Sequence, residues 1–176
     1  MAILGVDDFK SKLTGGGARA NMFKVICNFP GYAQGDVELT SFLCKGAQLP
    51  SSVIAAITIP FRGRQLQIAG DRTFEPLTLT VINDVEFSVR NAFERWMNGI
   101  NEHQNNTGLT DPTAYQADMT VQQLAKDGTV VKSYDFRGTF PTNLGAIDLS
   151  YDSENTIEEF TVELQVQYWE ATGVTS

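Results

Sequence analysis

Alternation of apolar and polar residues recurs along most of the chain and predicts short β-strands. A period of two is typical of a half-buried strand, because successive side chains point to opposite faces of the sheet. The segments that alternate in this way, or that are rich in β-branched and aromatic residues, are 22–29, 37–44, 53–59, 77–81, 119–125, 129–136, 147–151 and 160–168. These segments are short and closely spaced, so the chain is predicted to be mainly β.

Turn residues between these segments predict hairpins. Lys126-Asp127-Gly128 separates two of the strands with strong hairpin-turn chemistry. The stretch Pro60–Ile68 predicts a second hairpin with basic residues at its tip, ended by Gly70-Asp71. Because proline cannot donate to a sheet, Pro60 indicates an edge strand or a protrusion. Asp152–Asn155 predicts the turn before the final strand.

A single longer helix is predicted over Asp84–Asn98. Asn83 is a candidate N-cap with Glu86 three positions on. Apolar residues then follow at helical spacing: Val89, Ala92, Phe93, Trp96, Met97 and Ile100. Packing against a sheet accounts for this aromatic stripe without any ligand. A short helix is also predicted over Val6–Leu13, ended by the glycines that follow it.

These elements predict one mainly β domain over residues 1–176, built of two packed antiparallel sheets, a β-sandwich or small barrel, with one flanking α-helix. Residues 1–21 are predicted to form a flexible N-terminal arm, because three consecutive glycines interrupt them. The first residues lack the basic and apolar regions of a signal peptide, so none is expected, and no membrane span is predicted.

The charge of the chain argues against tight binding of nucleic acid. Thirteen Lys and Arg against 21 Asp and Glu give a net charge of -8, the wrong sign for a protein that releases counterions from phosphates. Cys27 and Cys44 lie in apolar stretches without a CxxC pair, which favours buried free thiols.

No motif predicts catalysis, a cofactor or a metal. His103 is the only histidine and lies in a polar loop, and the acidic neighbours Glu158 and Glu159 point to opposite faces of a predicted strand. No glycine-rich segment has the spacing of a phosphate-binding loop. We therefore expect no enzyme, no cofactor and no metal ligand.

Charges are unevenly distributed along the sequence. Residues 138–176 contain no Lys or Arg but seven carboxylates, Asp148, Asp152, Glu154, Glu158, Glu159, Glu163 and Glu170. A small basic cluster of Arg62, Arg64 and Arg72 precedes them. This pattern is compatible with two solvated faces, but it also suits head-to-tail contacts between copies.

Several long stretches resemble a known family. The segment Ala69–Asp84 (AGDRTFEPLTLTVIND) and the helix with Phe93 and Trp96 resemble the tail tube proteins of T-even-like contractile-tailed phages, which are related to type VI secretion and pyocin tube proteins. The resemblance continues through 44–50, 140–145 (FPTNLG) and 167–170 (QYWE), and so covers nearly the whole chain.

The resemblance implies a structural virion protein whose copies form six-fold rings, stacked into a hollow tube inside a contractile sheath. Its partners are then itself, the tail sheath protein, the baseplate and tail terminator proteins and the tape-measure protein. DNA crosses the lumen without specific binding, and acidic walls suit such a conduit because they repel phosphates. The expected location is the virion tail, assembled in the cytoplasm of the host bacterium.

Two assembly hypotheses follow. The protruding segment 50–70 and its surroundings are expected to make the contacts between stacked rings, through Pro50, Ile59, Pro60, Arg62, Arg64, Gln65, Asp71 and Arg72. The N-terminal arm is expected to order only on assembly.

Alternative functions remain open at this point. One is the inner tube of a contractile injection or type VI secretion machine, which only genome context distinguishes. Another is a carbohydrate-binding β-sandwich with a stacking platform of Tyr115, Tyr168 and Trp169, although the alternation places Tyr168 in the core.

Overall fold

The computed structural model describes residues 5–172, which contain nine strands and four α-helices. The helices are α1 (Val6–Lys12), α2 (Val37–Leu43), α3 (Ser88–Ile100) and α4 (Pro112–Tyr115). The strands are β1 (Phe23–Cys27), β2 (Cys44–Gln48), β3 (Ser52–Phe61), β4 (Arg64–Phe74), β5 (Leu77–Ile82), β6 (Ala117–Leu124), β7 (Val130–Leu144), β8 (Glu159–Gln165) and β9 (Tyr168–Ala171). The mainly β prediction is confirmed.

The body of the molecule consists of two antiparallel sheets that share one long strand. The strand order is β1-β6-β7-β8-β5-β2, and β9 pairs with β7. The first part of β7 pairs with β6 and β9, whereas its last part pairs with β8. Between them lies Gly138 with φ of 61°, where an added Cβ would lie 2.7 Å from the side chain of Gln167. Glycine is therefore needed where β7 passes from one sheet to the other.

The core is closed by α3, as the apolar spacing predicts. Its residues Val89, Ala92, Phe93 and Trp96 are buried. The rings of Phe93 and Trp96 stack 6.1 Å apart, and the indole N–H of Trp96 donates to the Tyr115 carbonyl at 2.6 Å. A buried indole normally needs such an acceptor, so the aromatic stripe is core packing.

The start of α3 differs from the prediction. The helix begins at Ser88, and the Asp84 carboxylate accepts a hydrogen bond from the Ser88 N–H at 2.9 Å. Asn83 is not the N-cap, because its side chain donates instead to Glu158 at 2.7 Å. Phe87, at φ of 57°, occupies the N-cap position. A positive φ at this position redirects the chain into the helix.

Segment 37–44 was predicted as a strand, and this is wrong, because residues 37–43 form α2. The Asp36 carboxylate caps the helix by accepting from the N–H groups of Glu38 and Leu39 at 2.9 and 3.0 Å. Thr40 is fully buried, with its hydroxyl donating to the Asp36 carbonyl at 2.6 Å. The alternation in VELTSF is therefore outweighed by an N-terminal cap and one buried helical turn.

The prediction for the last strands is correct only in part. Residues 147–151 form no strand, and Leu149 and Tyr151 are exposed. The predicted strand 160–168 is broken after Gln165, where the Gln167 N–H donates to the Arg137 carbonyl and pairing passes from β8 to β9. This break shifts the alternation, so Tyr168 is exposed instead of buried.

The predicted burial of both thiols is confirmed. Cys27 and Cys44 are free and buried. Burial raises the pKa of Cys44 to about 11 and raises that of Cys27 well above its usual value. Both sulfur atoms are therefore poor nucleophiles at neutral pH. Across residues 5–172, no helix is long and apolar enough to cross a bilayer.

Candidate assembly interface

A hairpin of β3 and β4 projects from the body with both of its faces exposed. The strands pair from Ser52 opposite Phe74 to Phe61 opposite Arg64. Every residue of the two strands is exposed except Gly70 and Phe74, which are half-buried. Isolated two-stranded hairpins are at best marginally stable in water. A hairpin of this length without cover is therefore expected to meet a partner.

The outer half of the hairpin has one apolar face. Residues directly opposite each other in a ladder share a face, so the register groups five large exposed apolar side chains: Ile57, Ile59, Phe61, Leu66 and Ile68. The other face is mostly polar, and there the Thr58 hydroxyl lies 2.9 Å from the Gln67 side-chain oxygen. Because single exposed apolar residues are normal but contiguous ones mark contact sites, this apolar face is the best candidate interface of the subunit.

The base of the hairpin is shaped by a β-bulge. The register shifts between Ile54 and Ala56, and β4 continues through this bulge to Phe74 instead of ending at Gly70-Asp71 as predicted. An added Cβ at Gly70 would lie 2.8 Å from the Ala55 carbonyl, so the bulge requires glycine. The Phe74 ring packs edge-on against Trp169 at 6.2 Å and joins the hairpin to the body. Bulges bend a strand, so this one sets the direction in which the hairpin projects.

The tip of the hairpin is basic. Arg62 and Gly63 both have positive φ, 45° and 80°, as a two-residue type I′ turn requires. The Arg62 guanidinium lies 5.4 Å from the centre of the Phe61 ring. Neither Arg62 nor Arg64 forms a salt bridge within residues 5–172. Two cations at the end of the apolar face are thus available to an acidic partner.

Arg72 does not lie beside Arg62 and Arg64, so the predicted basic cluster has two members instead of three. Arg72 pairs with Ile54 at the base of the hairpin. It lies eight positions after Arg64, which is about 26 Å along an extended strand. Only Arg62 and Arg64 belong to the tip.

All eight residues predicted for the ring-stacking interface lie on the hairpin or next to it. Pro50 precedes β3, Ile59 and Pro60 lie on β3, Arg62 is in the turn, and Arg64, Gln65, Asp71 and Arg72 lie on β4. The register splits them: Ile59 and Arg64 share the apolar face, whereas Pro60 and Gln65 share the opposite one. Their role in stacking stays a prediction.

Sequence reasoning missed most of the apolar face. The predicted interface residues do not include Ile57, Phe61, Leu66 and Ile68, although each is exposed in the subunit. Alternation in ITIPF opposite RQLQI carried the signal, because folding these two segments about Arg62-Gly63 brings their apolar residues together.

The acidic residues near the C-terminus divide into paired and unpaired groups. Glu159 forms a salt bridge with Lys45 at 2.6 Å, and Glu170 lies 4.0 Å from Arg137. By contrast, Asp148, Asp152 and Glu154 lie in the exposed loop 145–158 and form no salt bridge in the part of the chain described. The loop therefore presents uncompensated negative charge, opposite in sign to the hairpin tip.

Charged hydrogen bonds join β6 and β7 near the bend of β7. Arg137 donates to the Asp118 carboxylate at 2.8 Å, and the Gly138 N–H donates to the same group at 3.1 Å. Burial by itself raises the pKa of Asp118, but these hydrogen bonds outweigh it, so the pKa is lowered. The charged carboxylate thus helps to hold β7 against β6.

The residues considered for a catalytic, metal or sugar-binding site do not lie together. His103 is exposed in a loop, and residues 5–172 contain no group of three or more potential metal ligands. Tyr115 packs against Phe140, whereas Trp169 packs between Phe74 and Tyr134. The aromatic residues considered for a sugar platform therefore lie in separate clusters.

Comparison with known proteins relates the chain to components of phage tails and similar machines. The family model for phage tail tube protein matches residues 18–172. Tail tube protein gp19 of Enterobacteria phage T4 is 35% identical over 167 residues, covering 94% of this chain and 99% of the relative. The fold is similar to a chain in the baseplate of the anti-feeding prophage, with a TM-score of 0.66 and 16% identity over 91% of this chain and 98% of the other. A chain in the sheath-tube complex of an extracellular contractile injection system gives a TM-score of 0.63 and 15% identity over 92% and 95%.

Proposed function

Because the chain belongs to the phage tail tube protein family, we propose that its copies form six-membered rings that stack into the inner tube of a contractile tail. Its role as a tube-forming structural protein is the role of the family. The number of subunits in a ring and the residues that join the rings are the finer parts of the proposal.

The exposed hairpin is the observation that carries the proposal. An exposed apolar face with two cations at its end is unfavourable in a lone subunit but suits contact with another copy. A contact between different surfaces of identical subunits repeats without limit when it does not close, and so builds a filament along one axis. The hairpin is therefore assigned to the contact between successive rings.

Sheet edges supply the contacts within a ring. In residues 5–172, β1, β2 and β9 each pair with a strand on one side only. Open edges are sites for pairing with another chain, and a closed ring turns this liability into an interface. Neighbouring subunits are proposed to meet at these edges, which leaves the hairpin free for stacking.

The acidic chain suits passage of DNA through the tube. Its net charge of -8 disfavours binding to phosphates, so DNA is expected to cross the lumen without being held. The proposed partners are the tail sheath, the baseplate, the tail terminator and the tape-measure protein. Chains of similar fold occur in a sheath-tube complex and in a baseplate, which is compatible with two of these partners.

The proposed location is the tail of the virion, after assembly in the bacterial cytoplasm. The relatives are structural tail components, and we assign no catalytic step to this chain. The N-terminal arm, described from residue 5 onward, is proposed to become ordered on assembly.

Electron microscopy of the purified chain tests the proposal. Light scattering at rising protein concentration should detect assembly, and negative staining should reveal hollow tubes of uniform diameter with six-fold symmetry in end views. A particle that stays monomeric at high concentration, even after seeding with phage baseplates, would contradict it. Rings of another symmetry would overturn the subunit number alone.

A further inference from the structure

Helix α1 presents an apolar stripe that the described subunit does not cover. Val6, Phe9 and Leu13 are separated by three and four residues and lie along one side of the helix, and all three are exposed, Phe9 by 66%. Helix α1 contacts the 3-10 turn Thr14–Gly16 that follows it, and it has no substantial contact with any other helix or strand of the described residues. A helix of seven residues is not stable alone in water, so its stability must come from packing elsewhere.

An apolar groove lies between α2 and β1 and reaches Leu124 at the end of β6. Its volume is about 600 Å³, and its apolar lining consists of Phe23, Ile26, Val37, Phe42 and Leu124. Phe42 is 80% exposed, although it lies on a helix that is otherwise packed against the sheet. A concave surface with an exposed aromatic side chain at its wall is suited to an amphipathic helix.

Charges on the helix and at the groove are complementary. Lys24 and Glu38 line the groove and form no salt bridge in residues 5–172. Helix α1 has Asp7 and Asp8 in its first turn and basic residues in its last turn. Lys10 already lies 3.9 Å from Asp7. The other charges of the helix can pair with the groove, the acidic first turn with Lys24 and the basic last turn with Glu38.

The arm enters the body beside the groove. The Leu124 N–H donates to the Met22 carbonyl at 2.8 Å, and Leu124 also lines the groove. Gly15, Gly16 and Gly17 have φ between 72° and 79°. Gly15 and Gly17 line a small cavity together with Met22 and Leu124, so the segment between α1 and β1 lies close to the groove. In this conformation α1 forms no substantial contact with its own α2 or β1. A second copy held close by ring formation is thus placed to receive the helix.

We propose that α1 of one copy docks into the groove between α2 and β1 of a second copy, so that neighbouring subunits are joined by exchanged arms. Val6, Phe9 and Leu13 fill the groove against Phe42, and Lys24 and Glu38 pair with charges of opposite sign on the helix. This inference rests on the proposed tube and adds a contact that neither the hairpin nor the sheet edges supply.

A disulfide-trapping experiment identifies the occupant of the groove. One full-length chain carries both Phe9→Cys and Phe42→Cys, and it is oxidised under assembly conditions and run on a denaturing gel. The native thiols interfere little, because both are buried with raised pKa. Exchange between copies gives a ladder of covalent oligomers. A monomer with an internal disulfide means docking within one chain and overturns the proposal.

A matched control excludes chance collisions. Val85 is 98% exposed and lies outside both surfaces, so Phe9→Cys with Val85→Cys should give no ladder. A ladder of equal yield from this control would overturn the proposal.

Aspartate variants separate this inference from the tube itself. Phe9→Asp and Phe42→Asp should each raise the critical concentration for assembly by about tenfold or more, as expected when one buried aromatic contact is lost. Val85→Asp should leave it unchanged. If both variants form tubes at the wild-type concentration, arm exchange is wrong and the tube stands. If the wild-type chain forms no tubes, the proposed function fails first.

Discussion

Replacing the cross-strand pair Ile57 and Ile68 by threonine should weaken assembly without weakening the fold. The two residues face each other on the apolar face of the hairpin and are 53% and 45% exposed in the subunit. Threonine keeps the β-branched shape that strands favour. The isolated subunit should therefore unfold at nearly the wild-type temperature.

The magnitude follows from the surface that each side chain still exposes. Burying a whole isoleucine contributes about 1.5–3 kcal/mol, so the exposed half contributes about 1 kcal/mol on docking. Placing a hydroxyl in the contact adds a similar desolvation cost. Two sites together should cost about 4 kcal/mol per hairpin, or roughly 1,000-fold in the equilibrium constant for docking one subunit on the ring below.

Light scattering against protein concentration measures the critical concentration, and electron micrographs measure tube length. The matched control is Ala56→Ser with Ala69→Ser, a cross-strand pair on the opposite face, for which little change is expected. If the threonine variant assembles at the wild-type concentration while circular dichroism confirms its fold, the apolar face is not buried between rings. If the control raises the critical concentration equally, the apolar face is not the specific contact surface of the hairpin.

Three further predictions address the tip of the hairpin and the stability of the body. Arg62→Glu with Arg64→Glu should shorten the tubes in electron micrographs without changing the melting temperature, and unchanged lengths would exclude an ionic contact at the tip. Gly138→Ala should destabilise the subunit by about 1–2 kcal/mol in urea, because its positive φ strains any other residue, whereas Gly31→Ala, with open space around it, should be nearly neutral. Asp118→Asn should cost well under 1 kcal/mol at pH 7, because the pair is partly exposed. Since the folded pKa of Asp118 is lowered, its contribution is lost as the pH falls from about 4 through that lowered pKa, so the difference between the two proteins in urea titrations should shrink steadily below pH 4.

Prediction from the sequence succeeded for elements whose local pattern of apolar residues packs into the core. The strand Leu77–Ile82 is buried at every second residue, and α3 buries the aromatic residues that its spacing selects. The hairpin at Arg62-Gly63 was also recognised, because a two-residue turn and its flanking strands are close in sequence.

Prediction failed where capping or a change of partner decided the structure. Alternation in 37–42 suggested a strand, but the Asp36 cap and the buried Thr40 made a helix more favourable. Alternation in 147–151 had no sheet edge to pair with, so the segment is an exposed loop. For Tyr168 the strand changes partner just before the residue, and no local pattern reports such a change.

The candidate interface was only half predictable for a related reason. Its position followed from Pro60 and the arginines, but its apolar face depends on the register between two strands. Shifting that register by one residue would move every side chain to the other face. A bulge near the base fixes it, and bulges leave little trace in a single sequence.

The shared strand β7 has a mechanical consequence. Its fifteen residues run through both sheets, so a load applied to one sheet passes to the other along a continuous covalent backbone. Separating the sheets would require breaking the backbone hydrogen bonds along β7. Sheets held together only by apolar packing could instead slide past each other. A subunit built in this way is expected to yield as one piece, which suits a component that must stay rigid while the machinery around it moves.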